Sequence, residues 1–244
     1  MLKTKKRPAL LGRGWIAGMA CLTVAGLLAG CKNSAPPATT TPSVSRPTVN
    51  TVARRLDKSG KILMDMMKDP KTPFHYSYKG QENVNDKYAF DKTAKPQVAA
   101  VTLEADLSPD EMSITSKRGG KKEDHSAKKS DELRWSMAQL LLITNVTGPA
   151  MSIDVVASMA SEAGSDTVGG VAADKFTIDT ATATGNQKAG FDIAKTMLTI
   201  KDVKGTVWVA KNSGALVKFN LDESRADDRG NTWEEHYEGE VKPK

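Results

Sequence analysis

Histidine, cysteine and carboxylate side chains are the groups in this sequence that could perform acid–base or metal chemistry. The chain of 244 residues has three histidines, His75, His125 and His236, and they lie far apart in the sequence. No HExxH or HxH spacing, GxSxG nucleophile turn, phosphate-binding loop or dinucleotide fingerprint is present. We therefore predict no catalytic residue, no metal site and no cofactor, and we interpret each histidine as a surface or strand-face residue.

Two pairs of neighbouring carboxylates lie near the C-terminal end, at Asp227-Asp228 and Glu234-Glu235. They lack the D-x-D-x-D-G spacing of a calcium loop. We interpret them as a charged turn and an exposed strand face rather than as paired acids or a calcium site. A hydrolase whose site is assembled from scattered residues stays open as an alternative.

The cysteine at position 31 has the sequence context of a lipid-attachment site. It follows Leu28-Ala29-Gly30, and the segment before it combines a basic start with an apolar stretch over 15–30. That stretch is shorter than the roughly 20 residues of a membrane span. These residues resemble the signal and lipobox of bacterial lipoproteins. The resemblance implies that a lipid is attached to Cys31 and that residues 1–30 are removed.

Removal of residues 1–30 would change the charge of the chain. That segment holds five of the 35 basic residues and no acidic residue, so the formal net charge would fall from +6 to about +1. The sequence pI of about 9.2 therefore does not indicate nucleic-acid binding. Cys21 would leave with the segment and Cys31 would be acylated, so no cysteine would be left for a disulfide or a metal site.

Residues 31–48 are predicted to be a disordered tether that follows the lipidated cysteine. They are rich in Ser, Thr, Ala and Pro and contain no aromatic residue, so they cannot bury enough surface to offset the cost of ordering. Residues 49–244 are long enough to form a single domain. Lys32 stands where an inner-membrane retention signal would usually have Asp. We expect a cell-envelope location, on the periplasmic side of the outer membrane if the source has two membranes.

Apolar residues at helical spacing predict four helices, over residues 49–68, 131–144, 150–162 and 192–198. Pro70 follows the end of the first helix. Gly148-Pro149 is predicted to break the chain between the second and third helices. The third helix could instead begin as a strand at 153–156.

Alternation of apolar and polar residues predicts the strands. The alternating segments include 74–79, 99–107, 112–114, 175–180, 205–210, 217–222 and 233–238. The segment Lys117–Lys129 is basic and contains Gly119-Gly120, a pair that is typical of turns. We therefore interpret the segment as a solvated hairpin tip or loop. If this segment binds a ligand, lipid headgroups fit it better than nucleic acid.

Together these elements predict an α+β fold. The expected architecture is a single curved antiparallel β-sheet, an unclosed half-barrel, with helices covering its concave face. Methionines are concentrated in the predicted helices, and their flexible thioethers suit an irregular apolar cavity. The candidate lining residues of an apolar cleft are Met66, Met67, Met137, Met151 and Met159. The alternative is that these methionines simply fill the core.

Several short motifs occur in a recognisable order. They are Phe74-His75-Tyr76, the run 171–179, and the segments 205–209 and 214–219. With the lipobox and tether, this order resembles the LppX/LprG lipoproteins and, more distantly, the LolA/LolB carriers, over residues 48–244. The resemblance implies a half-barrel that holds acyl chains and moves lipids or lipoproteins across the envelope without enzymatic machinery. Of the family's functional residues, only Cys31 has a matching position here.

We therefore expect a membrane-anchored envelope lipoprotein, not an enzyme, that binds lipid or acylated ligands in an apolar cleft. Its expected partners are the membrane, through Cys31, and a hydrophobic ligand. Protein partners cannot be named from the sequence. The alternative is a tethered scaffold or protein-interaction module without a ligand. A continuous cavity lined by methionine and aliphatic residues would favour the carrier, and a packed core with an exposed apolar patch would favour the module.

Overall fold

The computed structural model describes residues 51–85, 97–185, 199–228 and 230–244, together with 188, 191, 192 and 195. The predicted signal segment, Cys31, the predicted tether and most of the helix predicted over 192–198 lie outside the described residues. Residues 47–244 form one compact unit. Its described part is an α+β fold with two α-helices and a single open antiparallel sheet of nine strands.

The elements are, in chain order, α1 (Thr51–Lys68), β1 (Phe74–Asn85), β2 (Gln97–Leu107), β3 (Glu111–Arg118), β4 (Lys121–Lys128), α2 (Glu132–Val156), β5 (Ser161–Val168), β6 (Val171–Asp179), β7 (Ile200–Ala210), β8 (Leu216–Ala226) and β9 (Thr232–Pro243). Short 3-10 turns follow α2 and β6. The strand order is β4-β3-β2-β1-β9-β8-β7-β6-β5. Two four-stranded meanders are therefore joined through β9, which pairs with both β1 and β8.

The helix α2 connects the two edge strands of the sheet, β4 and β5. It has 25 residues, so it is about 38 Å long at 1.5 Å per residue. Eight strand spacings also amount to about 38 Å. One long helix therefore has the length needed to carry the chain from one edge to the other.

The predicted break at Gly148-Pro149 is wrong, because α2 continues through Pro149. Proline cannot donate a backbone hydrogen bond, so Pro149 removes the helical bond to the Asn145 carbonyl. Pro149 is itself buried, and its packing offsets the low helix propensity.

The predicted helix over 150–162 is also wrong in its extent. Residues 150–156 belong to α2, a 3-10 turn covers Ala157–Met159, and β5 begins at Ser161. The alternative strand over 153–156 is wrong as well, since these residues are helical. The strand β5 was not predicted, because its sequence SEAGSDTV has one buried residue and no clear alternation.

The helix α1 packs against α2 and against β7 and β8. Its buried face includes Leu56, Leu63 and Met67. A Cβ added to Gly60 would lie 2.9 Å from the Cβ of Ala150, so a glycine is needed where the two helices approach. The helix ends at Lys68, before Pro70, as the sequence predicted.

One face of the sheet packs against both helices. On β1, Phe74, Tyr76 and Tyr78 are buried, as the alternation predicted, and they belong to one apolar cluster with residues of α1 and α2. The hairpin of β7 and β8 is confirmed with its predicted turn at 211–214. The sheet thus carries its core on the helix side.

The basic segment over 117–129 is largely a strand rather than a loop. The predicted turn at Gly119-Gly120 is confirmed, and both glycines have positive φ angles, of 55° and 81°. The residues after it form the edge strand β4, which pairs with β3. Exposed charges on β4, such as Lys121 and Lys122, hinder pairing with a second chain at this edge.

Candidate functional site

A groove separates α2 from the edge strand β4. Three residues connect Lys128 to Glu132, so the helix starts beside the end of the strand, where Ala127 is buried. Asp131 caps the helix by accepting a hydrogen bond from the Arg134 backbone N–H at 3.2 Å. The rest of β4, over 121–126, is exposed, so the helix does not cover that part of the strand and a groove opens between them.

The groove has a volume of about 660 Å³, which is within the range of small-molecule binding sites. Its apolar lining residues all lie on α2, and they are Met137, Ala138, Leu140 and Leu141. Its polar lining residues, which we call the rim, are Glu123, Asp124, His125, Ser126, Arg134 and Thr144. This arrangement suits a ligand with an apolar chain and a polar end.

The rim of the groove carries charges of both signs. Asp124 accepts hydrogen bonds from Thr115 Oγ1 at 2.6 Å and from Lys122 Nζ at 2.9 Å. These two hydrogen bonds lower the pKa of Asp124, so its carboxylate stays ionised at neutral pH. His125 Nε2 lies 3.7 Å from a Glu123 carboxylate oxygen. A polar ligand end would therefore meet both donors and acceptors.

The outer face of α2 presents a line of exposed apolar residues. Leu133 is 72% exposed, Met137 64%, Leu140 63% and Met151 52%. We call these four residues the outer stripe. By length and composition alone, the helical segment Glu132–Met159 could span a membrane, with a mean hydropathy of 1.5. Its inner face nevertheless packs on the sheet as a core helix does.

The five methionines that were candidates for an apolar cleft lie in three different environments. Met67 and Met159 are buried in the core, and Met66 is partly buried against it. Met137 lines the groove. Met151 is exposed on the outer stripe. The described residues therefore do not bring the five side chains together around one cleft.

The three histidines lie on separate strands. On β1, His75 lies between Asp106 and Glu104, with nitrogen–oxygen distances of 2.7 and 2.9 Å. His236, on β9, lies 2.7 Å from an Asp222 carboxylate oxygen, and His125 is at the groove. Within the described ranges, no group of three or more His, Cys, Asp or Glu side chains is arranged to hold a metal ion.

A buried polar cluster ties α2 to the sheet, and the sequence interpretation missed it. Glu223 is 2% exposed and accepts hydrogen bonds from Ser152 of α2 and from Arg225 Nε. Burial raises the pKa of Glu223, although both partners oppose the increase. Arg225 Nε is also 3.1 Å from Glu235, which accepts a hydrogen bond from Tyr237.

The side chain of Glu235 is 14% exposed, so the prediction that Glu234-Glu235 forms an exposed strand face is wrong for Glu235. One signal could have revealed the cluster. Glu223 continues the inward alternation of Phe219 and Leu221 on β8, which places a carboxylate on the buried face.

Comparisons of this chain with protein-family models, with curated proteins and with solved structures found no match. The groove and the outer stripe of α2 are therefore the features on which a function can be based.

Proposed function

We propose that this chain is an envelope lipoprotein, anchored through Cys31, that holds an acyl chain in the groove between α2 and β4. The observation that carries the proposal is a groove of about 660 Å³ lined by apolar residues of α2 and by the polar residues of the rim. The apolar residues would contact the methylenes of the chain and the rim would take its polar end. The proposed activity is binding and transfer without catalysis or a cofactor.

The open shape of the groove bears on the strength of binding. Burial of an acyl chain contributes about 0.8 kcal/mol per methylene. A groove that covers only one side of the chain buries part of each methylene, and association itself carries an entropic cost. The bound chain would therefore exchange readily, which is what a carrier needs in order to release its cargo.

The finer architecture belongs to the same proposal. We propose that the sheet is curved into an unclosed half-barrel and that α1 and α2 cover its concave face. The connection of the two edge strands by one helix supports this, because such a crossing keeps α2 on one side of the sheet. The resemblance of the motif order to the LppX/LprG lipoproteins also supports it.

The proposed anchor predicts that the protein is lipidated in cells and held at a membrane. The context of Cys31 supports lipid attachment, and Lys32 favours the periplasmic side of the outer membrane in a source with two membranes. Cells supplied with labelled palmitate should incorporate the label into the protein, and Cys31→Ser should abolish the incorporation. A Cys31→Ser variant that is still labelled would contradict the anchor.

Acyl binding is tested by native mass spectrometry on residues 47–244, the compact unit, after incubation with palmitate and with a diacyl phospholipid. We expect a ligand-bound mass, and organic extraction should recover the lipid. Thr144→Trp should abolish it, because Thr144 is exposed and lines the groove. Ser136→Trp is the matched control, since Ser136 is an exposed residue of α2 that does not line the groove.

The packed core supports a second function, that of a tethered interaction module without a ligand. Met67 and Met159 fill the interior, while exposed apolar residues lie on α2, as expected for a protein-binding surface. The same mass measurement separates the two functions. A mass that stays free of ligand with every lipid would contradict acyl binding and favour the module.

A further inference from the structure

The four residues of the outer stripe lie on one side of α2. Leu133, Met137 and Leu140 follow one another at spacings of four and three residues, and Met151 lies 18 residues, or about five helical turns, after Leu133. Thr144 lies on the same side between Leu140 and Met151. The exposed fractions of the four apolar residues lie between 52% and 72%. The fold does not need these residues for its core, and exposed apolar residues that share one face are typical of an interaction surface.

A basic hairpin lies beside this stripe. The hairpin of β3 and β4, over 111–128, contains five basic residues and three acidic ones, a net charge of about +2. Because α2 packs against β4, the hairpin lies beside the apolar face, with Glu123, Asp124 and His125 at the groove. Four of its basic residues lie around the turn, and they are Lys117, Arg118, Lys121 and Lys122. Several of them form ion pairs, such as Lys122 with Asp124, but exposed pairs are weak and leave the net charge in place. An apolar helix face beside cationic groups is typical of helices that lie in an anionic membrane interface.

The proposed anchor fits the same partner. Cys31 precedes Thr51 by 20 residues, and a chain of that length spans at most about 70 Å. From Thr51, nine residues of α1, about 14 Å, lead to Gly60, which meets Ala150 beside Met151 of the stripe. The anchor would hold the stripe within reach of the bilayer at a high effective concentration.

We propose that the outer stripe of α2 docks on the surface of an anionic lipid bilayer, with the β3–β4 hairpin against the headgroups. The inference rests on the proposed function for the anchor, but not for acyl binding. Met137 and Leu140 belong to both the stripe and the groove. Docking therefore brings the groove to the bilayer surface, where an acyl chain can pass between the two without crossing water.

The test uses residues 47–244 without the anchor, sedimented with phosphatidylcholine vesicles that contain or lack phosphatidylglycerol. We expect binding to the anionic vesicles, weakened by added salt. The double variant Leu133→Asp with Met151→Asp should reduce partitioning by at least about tenfold. Neither residue lines the groove. Val98→Asp is the matched control, because Val98 is 63% exposed on β2, away from the stripe.

A second measurement locates the contact. Tryptophan placed at the stripe by Leu133→Trp or by Met151→Trp should be quenched by brominated lipid in anionic vesicles, and Val98→Trp should not. Absence of vesicle binding, or binding that the aspartate variants leave unchanged, would overturn the proposal. Self-association of the unit without lipid, removed by Leu133→Asp, would assign the stripe to a second copy and also overturn it.

The two proposals fail separately in these experiments. Ser126→Trp should lose palmitate and keep vesicle binding, since Ser126 lines the groove from β4 and is not part of the stripe on α2. Vesicle binding in the absence of any palmitate complex would leave docking in place and contradict the acyl-chain function.

Discussion

The inner and outer faces of α2 are both apolar, but for different reasons. The inner face includes Leu142 and Ile153, which are fully buried against the sheet, and its polar residues Asn145 and Ser152 form hydrogen bonds. The outer face carries Leu140 and the other residues of the outer stripe, which are exposed to solvent. A helix that only covers a sheet needs one apolar face. The second apolar face is therefore not explained by packing on the sheet, and the proposed binding rests on it.

The largest expected change is in the free energy of unfolding, and it should differ between the two faces of α2. Leu142→Ala removes a side chain that is 0% exposed, so it should lower the free energy of unfolding by about 2–5 kcal/mol. Leu140→Ala, two residues away and 63% exposed, should change it by less than about 0.5 kcal/mol. Urea unfolding measures both. Equal losses would mean that the outer face also packs in the folded protein.

The next largest change in the free energy of unfolding is expected from a substitution at the contact of α1 with α2. Gly60→Ala would place a Cβ 2.9 Å from the Cβ of Ala150, so the helices must move apart. We expect a loss of about 1–2 kcal/mol, the overpacking cost less the gain in helix propensity. The double variant with Ala150→Gly should recover part of this loss in urea unfolding. A stabilised Gly60→Ala variant would show that the helices are not in close contact.

The buried hydrogen bond between α2 and β8 should contribute slightly less to the free energy of unfolding. Ser152→Ala removes one of the donors to the Glu223 carboxylate, while Arg225 still donates. The expected loss is about 1–2 kcal/mol, typical of a hydrogen bond to a buried charged group. Ser136→Ala, on an exposed position of the same helix, is the control and should be neutral. Equal stabilities of the two variants would argue against the cluster.

The smallest effect depends on pH. Burial, together with a hydrogen bond that protonated Asp154 donates to the Asp57 carboxylate, raises the pKa of Asp154 to about 7. The protonated form is thus favoured in the folded state, and its stabilisation is complete below about pH 4 and lost as pH rises through 7.

Asp154→Asn cannot ionise, so it should be more stable than the parent at pH 8 and equal to it at pH 4. The gain should be at most about 1 kcal/mol, because both carboxyls are exposed and water screens them. Urea unfolding at the two pH values measures it. A gain of the same size at pH 4 would contradict the shared proton.

Much of the sheet could be predicted from the sequence. Period-two alternation locates β1, β2 and the hairpin of β7 and β8, because each has one buried face. The pairing of β9 with β1 could not be predicted, since it joins residues about 160 positions apart and no local pattern encodes it. β5 has almost no buried side chains, so it has no alternation to detect.

The errors over α2 have a common physical cause. Gly148-Pro149 is a helix breaker by local propensity, but Pro149 is buried and α2 continues through it. Tertiary packing therefore decides the conformation. The methionines were expected around one cleft because helical spacing shows which residues share a helix face. It does not show which face meets the sheet, so it could not separate the buried methionines from the exposed ones. The groove depends on the angle between β4 and α2, which the sequence does not display.

The most direct test of the account is to locate a bound acyl chain. The unit of residues 47–244 is incubated with a palmitate that carries a photoreactive diazirine on its chain, irradiated and digested, and the adducts are mapped by mass spectrometry. The account predicts adducts on the groove, over 123–126 and 137–144, which are lost in Thr144→Trp and kept in Ser136→Trp. Adducts on the buried Met67 or Met159, or no adduct on any peptide, would contradict it.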